Sequence, residues 1–546
     1  MRKLSGIVIL LLLAGNLSGA PVTRTVVVFP FVNRSTRTDL AWMSEGFAAA
    51  VSRRLAGADR YVLSRRERDA AYDELGLVQE APLTLASVYR VAQTLGVDWA
   101  VIGSFNFESN QLTVRAQLLN LRKVKLSEGI SATGDLADFV GLETQIAWRL
   151  LAAHDPAFTV GSEEDFRKQF PAIRLDAFEN YIRGILTNDP ATRVQFLTEA
   201  DRRDPADHRA AYELGRLYFE QKDYAQSVLW LGKITPADDH YVESLFRLGV
   251  GEYFLDHDAK SAGAFAMVAR QLPLSEAYNN LGVVNFRGGH LAEALEDFDR
   301  AQRGDPSNGD FMFNRAACLW SLRKYGEAAR ALEGALVSND EDAEAHLLLA
   351  DTLAKLQDAA GVQREKKWLA GHEESATTDP PATVDYSPQP RLVENYDGRA
   401  YRLLALKLRN AFEEELAQEP PAARAAAHLA RSRRLINEGN FPEAERDLAE
   451  AISLAPGNNE ARLLMAQVDE AQGRHQDAAQ ELETSLKLED NAAAQLWLAR
   501  IYLRLDQYAR AEEHGRAALK LEPANRDAEQ LILDIQARAS TGGRKP

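Results

Sequence analysis

Hydrophobic and polar positions change period several times within the first 155 residues. Thr25–Val32 reads TVVVFPFV, a continuous β-branched and aromatic run closed by Asn33, Arg34 and Ser35, which predicts a strand buried on both faces. Leu40, Met43, Phe47, Val51 and Leu55 then recur every three or four residues, one face of a helix. Tyr61–Leu63 predicts a short strand, and 67–75 and 83–95 predict helices, the second stopped by Gly96. Trp99–Phe107 and Leu112–Leu121, joined through Ser109 and Asn110, and a third stretch, Val124–Ala132, predict an antiparallel meander. A helix over 136–151 closes an α/β module spanning residues 22–155.

From residue 176 the pattern is helical and repeats itself. Ala294, Phe298 and Ala301 return 34 residues later as Ala328, Leu332 and Ala335, and Leu281-Gly282 returns as Arg315-Ala316. One unit carries Tyr278, Leu281, Gly282, Asn285, Ala294, Phe298, Ala301 and Pro306; small residues at 282 and 294 let two helices cross closely, and Pro306, with no N–H to donate, ends the second. This unit resembles the tetratricopeptide repeat. The frame predicts a first array over 176–370, a linker over 371–398 carrying Pro380, Pro381, Pro388 and Pro390, and a second array over 399–540 capped by a helix at 527–537. The expected fold class is α+β: an amino-terminal α/β module followed by a mainly α-helical solenoid in two arrays.

The stretches VVVFPFVNRS, WMSEGFAAAVSRRL, VLSRRERDAAYDELG and AQTLGVDWAVIGSF are similar to the amino-terminal domain of the TolB translocation protein and to the related domain of curli-secretion and flagellar-assembly envelope proteins. The resemblance implies a non-catalytic binding or assembly module. Some relatives carry a lipobox cysteine that this chain lacks, so no lipid anchor is expected. Arg65, Arg66 and Arg68 are a candidate patch for an acidic partner surface, although such a cluster can equally cap a helix and meet solvent.

Arg2 and Lys3 precede the apolar run Ile7–Ala14 and the small or polar Gly15, Asn16, Ser18, Gly19 and Ala20, the layout of a secretory signal over 1–20. Eight residues of helix span ~12 Å, short of a ~30 Å hydrocarbon core, so export to the periplasm or envelope is expected rather than a membrane span. Ser18 and Ala20 suit cleavage and Pro21 does not, which leaves cleavage open.

Composition narrows the chemistry. The 546 residues hold 64 Lys+Arg against 80 Asp+Glu, a formal charge of −16 that repels nucleic acid. The one cysteine, Cys318, rules out an intramolecular disulfide and reads as a small buried packing residue. No GxxxxGK[ST], GxSxG or HExxH motif occurs, and the ten histidines are scattered, so no enzyme, cofactor or metal site is expected.

What remains is surface for contact. The positions that line the concave face of such repeats are, in the first array, Tyr212, Arg216, Phe219, Phe246, Tyr253, Asn279, Phe286, Arg287, Phe313 and Trp320, an aromatic groove suited to anchoring a protein segment. In the second array they include Arg433, Arg500 and Arg504, a smaller and more basic lining. The Lys/Asn clamp with which some tetratricopeptide domains hold carboxylate termini is not reproduced. The expected function is a non-enzymatic, exported scaffold recruiting peptide or helix segments of protein partners. The alternative is a regulatory subunit that activates an envelope enzyme or secretion assembly through the amino-terminal module.

Overall fold

The computed structural model describes residues 24–542 except 58–59, 79–81, 156–157, 159–160, 171–173, 237, 373–387 and 438. The expected signal segment lies outside the described residues. The chain divides into two compact units, one holding residues up to Asp207 together with Arg399–Gln418, the other holding His208–Gly398 and the chain from Glu419 onward.

The first unit is built on a sheet of β1 (Arg24–Val28), β2 (Val32–Asn33), β3 (Arg60–Val62), β4 (Trp99–Glu108), β5 (Gln111–Asn120), β6 (Lys125–Leu126) and β7 (Ile130–Gly134). The order is β3-β1-β4-β5-β6, with β2 beside β4 and β7 beside β5. β1 runs parallel to β3 and β4, and the meander β4-β5-β6/β7 is antiparallel. Ser109 and Asn110 form its first turn, both with positive φ (53° and 63°), a backbone whose twist suits a two-residue hairpin.

Alternation along β1 explains its unbroken apolar run. Val26 and Val28 face a core made with helices 43–55 and 139–154, while Val27 and Phe29 face one made with helices 65–74 and 85–94. Pro30 marks a bulge. Val28 pairs with Val101 but Val32 pairs with Ser104, so four steps on one strand match three on the other. The bulge turns Phe31 inward over Gly103, where any Cβ would overlap its ring.

Helices 175–186 and 190–203, expected to open the first array, belong to this unit. Their apolar face is claimed by the sheet's helices: Phe178 packs with Trp42 and Phe139, and Arg183 donates to the Asp39 carbonyl (3.2 Å). Helix 398–416, expected to open the second array, also joins it through its first turns. Leu403 packs into the second core, and Arg399 donates to the Leu95 carbonyl (2.7 Å).

The second unit is a run of helix pairs: 209–220/224–231, 241–254/258–271, 275–287/291–304, 309–321/325–338 and 343–355/359–371, then 421–437/441–454, 459–471/475–488 and 492–504/508–521, with helix 526–542 last. The period is visible in the backbone itself. Lys222, Asp256, Gly289, Arg323 and Gln357, and later Gly439, Gly473 and Asp506, all have φ between 57° and 78°, one left-handed residue at the turn inside each pair. Small residues set the crossing distance: a Cβ at Gly249 would come within 2.7 Å of Phe265, and one at Gly282 within 2.7 Å of Phe298. Cys318 is fully buried in this packing, and burial pushes its thiol up to about 12. Among the described residues no helix is long and apolar enough to cross a membrane.

Candidate partner-binding groove

The inner helices of the first array place equivalent side chains in columns. Three residues before each helix-crossing small residue stand Tyr212, Phe246, Asn279 and Phe313; one position further on stand Asn280 and Asn314. The face they form is occupied by the chain itself. Residues 388–397, part of the expected linker over 371–398, lie along it as an extended strap with neither helix nor strand structure, bonded to the array in a way that linker composition did not indicate. Its hold on the array comes from partners 47 to 113 residues away in sequence, which local composition does not reveal.

Two asparagines read the strap's backbone. Asn314 accepts from the Arg391 N–H (2.6 Å) and donates to the Arg391 carbonyl (2.7 Å), while Asn280 accepts from the Val393 N–H and donates to the Val393 carbonyl (both 2.8 Å). A carboxamide matches a peptide unit donor for acceptor, so each pair satisfies both groups. Their spacing of one repeat corresponds to two residues of extended chain. Asn279 adds a bond to the Arg391 carbonyl (3.0 Å) and accepts from Asn314 (2.7 Å). All three asparagines are fully buried.

Arg391 supplies the charge. Its guanidinium binds both oxygens of Asp342 (2.6 and 2.7 Å), reaches Asp310 (2.7 Å) and Glu344 (2.8 Å), and lies 3.8 Å from the centroid of the Phe313 ring. Burial alone would lower the arginine and raise the aspartate. The fork of hydrogen bonds reverses both, holding Arg391 above its ordinary value and Asp342 below its own. Asp342 also accepts from the Ala345 N–H at a helix start, so the anchor is itself fixed. Tyr396 meets Phe246 edge-on (4.8 Å between centroids), and Leu392 packs in the cluster that contains Tyr253 and Phe286. Pro388 and Pro390 are buried.

Of the residues the sequence proposed, Phe246, Tyr253, Asn279, Phe286 and Phe313 therefore gather around the strap. The others are engaged elsewhere. Tyr212 stacks on His240 (4.0 Å), Arg216 pairs with Glu213 (2.8 Å), and Phe219 packs against Tyr224 and beneath Arg247. Arg287 covers Tyr253 (3.6 Å) and reaches Asp256, and Trp320 donates to Asp351 (2.8 Å). Sequence reasoning missed Asn280, Asn314, Asp310, Asp342, Glu344 and Arg391. The recurrence of Asn at 280 and 314 was the available signal, since a buried amide repeated at one register has to bind something.

The second lining is basic only residue by residue. Arg433 faces Glu460 (2.8 Å), Arg500 faces Asp527 (3.6 Å), and Arg504 pairs with Glu470, which also accepts from Trp497 (2.6 Å). In the first unit the arginine patch largely dissolves. Arg68 is buried against Glu45 (2.8 Å) and the Val28 carbonyl (3.1 Å), and Arg65 is half-buried against Asp69 (3.2 Å). Arg66 is exposed. The desolvated charge at 68 needs an internal counter-ion, which is why it points inward and not at a partner.

Tetratricopeptide repeat models match residues 191–241, 259–309, 313–361 and 463–526, and a second model of the same description matches 435–489. The chain carries tetratricopeptide repeats over those residues, in a mostly helical solenoid with a sheet-bearing amino-terminal region. It is 30% identical over 122 residues to the inactive TPR repeat-containing thioredoxin TTL3 of Arabidopsis thaliana, a match covering 21% of this chain and 18% of that relative's length. Among solved structures, a tetratricopeptide repeat protein from Parabacteroides merdae is similar at 18% identity over 54% of this chain and 98% of the other, with a TM-score of 0.23. The TPR2AB domain of yeast Sti1, solved in complex with pHSP90, matches at 16% identity over 48% of this chain and 98% of that one, with a TM-score of 0.21.

Proposed function

We propose that the chain is a non-enzymatic, exported scaffold of the cell envelope that captures extended segments of partner proteins in the groove of its first array. The observation that carries this reading is the paired bonding of Asn280 and Asn314 to the backbone of Val393 and Arg391. A face that satisfies every second peptide unit of an extended chain is a face built for such a chain. The aromatic column beside it, Phe246 and Phe313, supplies the anchors that protein segments use. The resemblance to TolB-type domains supports an assembly role for the sheet-bearing unit, and the Arg2-Lys3 apolar leader supports export.

In-cell crosslinking of the full chain, with the crosslinked residues mapped by mass spectrometry, tests the binding reading. Partner crosslinks concentrated on helices 241–254, 275–287 and 309–321, and depleted by Phe246→Ala with Phe313→Ala, are the expected outcome. Crosslinks that avoid those helices, or that survive the double change, would defeat it. A fusion to a reporter active only after export tests the destination.

A further inference from the structure

The strap is fastened in an unusual way for a structural element. Its main-chain contacts run to side chains, with no helix or sheet ladder among them, and Arg391, Leu392, Val393 and Tyr396 are each only partly buried. Recognition divides into two kinds. The asparagine pairs grip backbone and are indifferent to sequence. The pocket of Asp310, Asp342 and Glu344, roofed by Phe313, accepts a planar cation with several donors and nothing else as well. Phe246 takes an aromatic ring five residues after that cation. Emptied of the strap, the face would present to water carboxamides that have lost their backbone partners and a cluster of carboxylates that has lost its cation, an arrangement that favours another occupant of the same pattern.

We infer that residues 388–397 are an internal ligand, and that the groove's external ligand is an extended protein segment of the same chemistry: arginine, an aliphatic residue directly after it, and an aromatic residue five positions after it. The inference rests on the scaffold reading above and narrows it. The strap holds the groove closed to weak ligands, because a tethered competitor sits at a high effective concentration and lowers the apparent affinity of anything arriving from solution. A partner gains access when its segment outcompetes the strap.

The test uses the full chain and a fluorescein-labelled synthetic peptide, PQPRLVENYD, copied from residues 388–397. Anisotropy titrations compare the unaltered protein with Arg391→Ala/Tyr396→Ala, which loosens the strap while leaving the groove walls intact. The loosened chain is expected to bind the peptide at least about tenfold more tightly. A peptide with alanine in place of its arginine should lose about tenfold or more, and so should adding Asn280→Ala and Asn314→Ala to the loosened chain. Equal binding by the two chains, or binding indifferent to the peptide's arginine, would overturn the inference. Concentration-dependent dimers of the unaltered chain that Arg391→Ala/Tyr396→Ala abolishes would mean that copies exchange straps, and would overturn it too.

Should the loosened chain fail to fold, hydrogen exchange on the unaltered protein decides. Excess peptide should speed exchange of the amides of Arg391 and Val393, and no change in their rates would count against displacement. The two readings fail separately. Loss of peptide binding with crosslinks still concentrated on the groove removes the internal-ligand inference alone, whereas peptide binding with no partner crosslinks removes the scaffold reading alone.

Discussion

Asn314 both accepts from and donates to the backbone of Arg391, at 2.6 and 2.7 Å, across 77 residues of sequence. The same exchange occurs one repeat earlier between Asn280 and Val393. Because both pairs depend on one strap, their energies are coupled. Asn314→Ala leaves the Arg391 N–H unmet, its carbonyl still accepting from Asn279, and Asn280→Ala leaves both backbone groups of Val393 unmet; each is expected to cost about 1–3 kcal/mol. The double variant should cost less than the sum, since a strap already released has little more to lose. Urea unfolding of the three variants measures this, and strict additivity would mean that the two pairs are independent.

The left-handed residues between paired helices give a prediction of opposite sign. Arg323 has a φ of 60°, and its neighbour Lys324 donates back to the Leu319 carbonyl (2.9 Å), a helix ending that glycine adopts without strain. Arg323→Gly is expected to stabilise by about 0.5–1 kcal/mol, and Gly289→Ala, at a φ of 78°, to destabilise by about 1 kcal/mol. Thermal midpoints of both variants check the pair.

In the sheet-bearing unit, Gly103 and Phe31 occupy one space. Gly103→Ala is expected to cost about 1–3 kcal/mol by forcing the ring away, and Phe31→Leu in the same chain should recover part of that loss. A double-mutant cycle showing no coupling between the two positions would refute the close approach.

Acid stability carries a signature of Asp297. Burial pushes its carboxyl up to about 6, against a hydrogen bond from Asn285 (2.9 Å) that favours the charged form. A carboxyl raised on folding binds its proton more tightly in the native state, so its contribution is greatest below about pH 4 and is lost as pH climbs to about 6. Asp297→Asn should abolish that part of the slope and raise stability at pH 7 relative to the unaltered chain. Denaturation midpoints between pH 4 and 7 give the comparison.

Much of the architecture was legible because it depends on local pattern. The run Val26-Val27-Val28 feeds two cores by alternation, Ser109-Asn110 permits a tight hairpin, and Gly249 and Gly282 mark helix crossings at repeat spacing. The strap was hidden for the converse reason. Pro388 and Pro390 read as linker composition, and nothing near Arg391 in sequence announces Asp342, Asp310 or Asn314. Helices 175–203 show a third case: their repeat-like spacing is genuine, yet Phe178 finds its neighbours in Trp42 and Phe139. Amphipathic spacing shows that a helix has an apolar face and leaves open what covers it.

The strap touches helix pairs beginning at 241, 275, 309 and 343. In a solenoid each pair is joined only to its neighbours, so bending at one junction is felt weakly at the next. A cord tied across four of them behaves like the stay of a mast. Seated, it braces four junctions at once, so that bending at any one of them has to stretch a segment fastened to the other three.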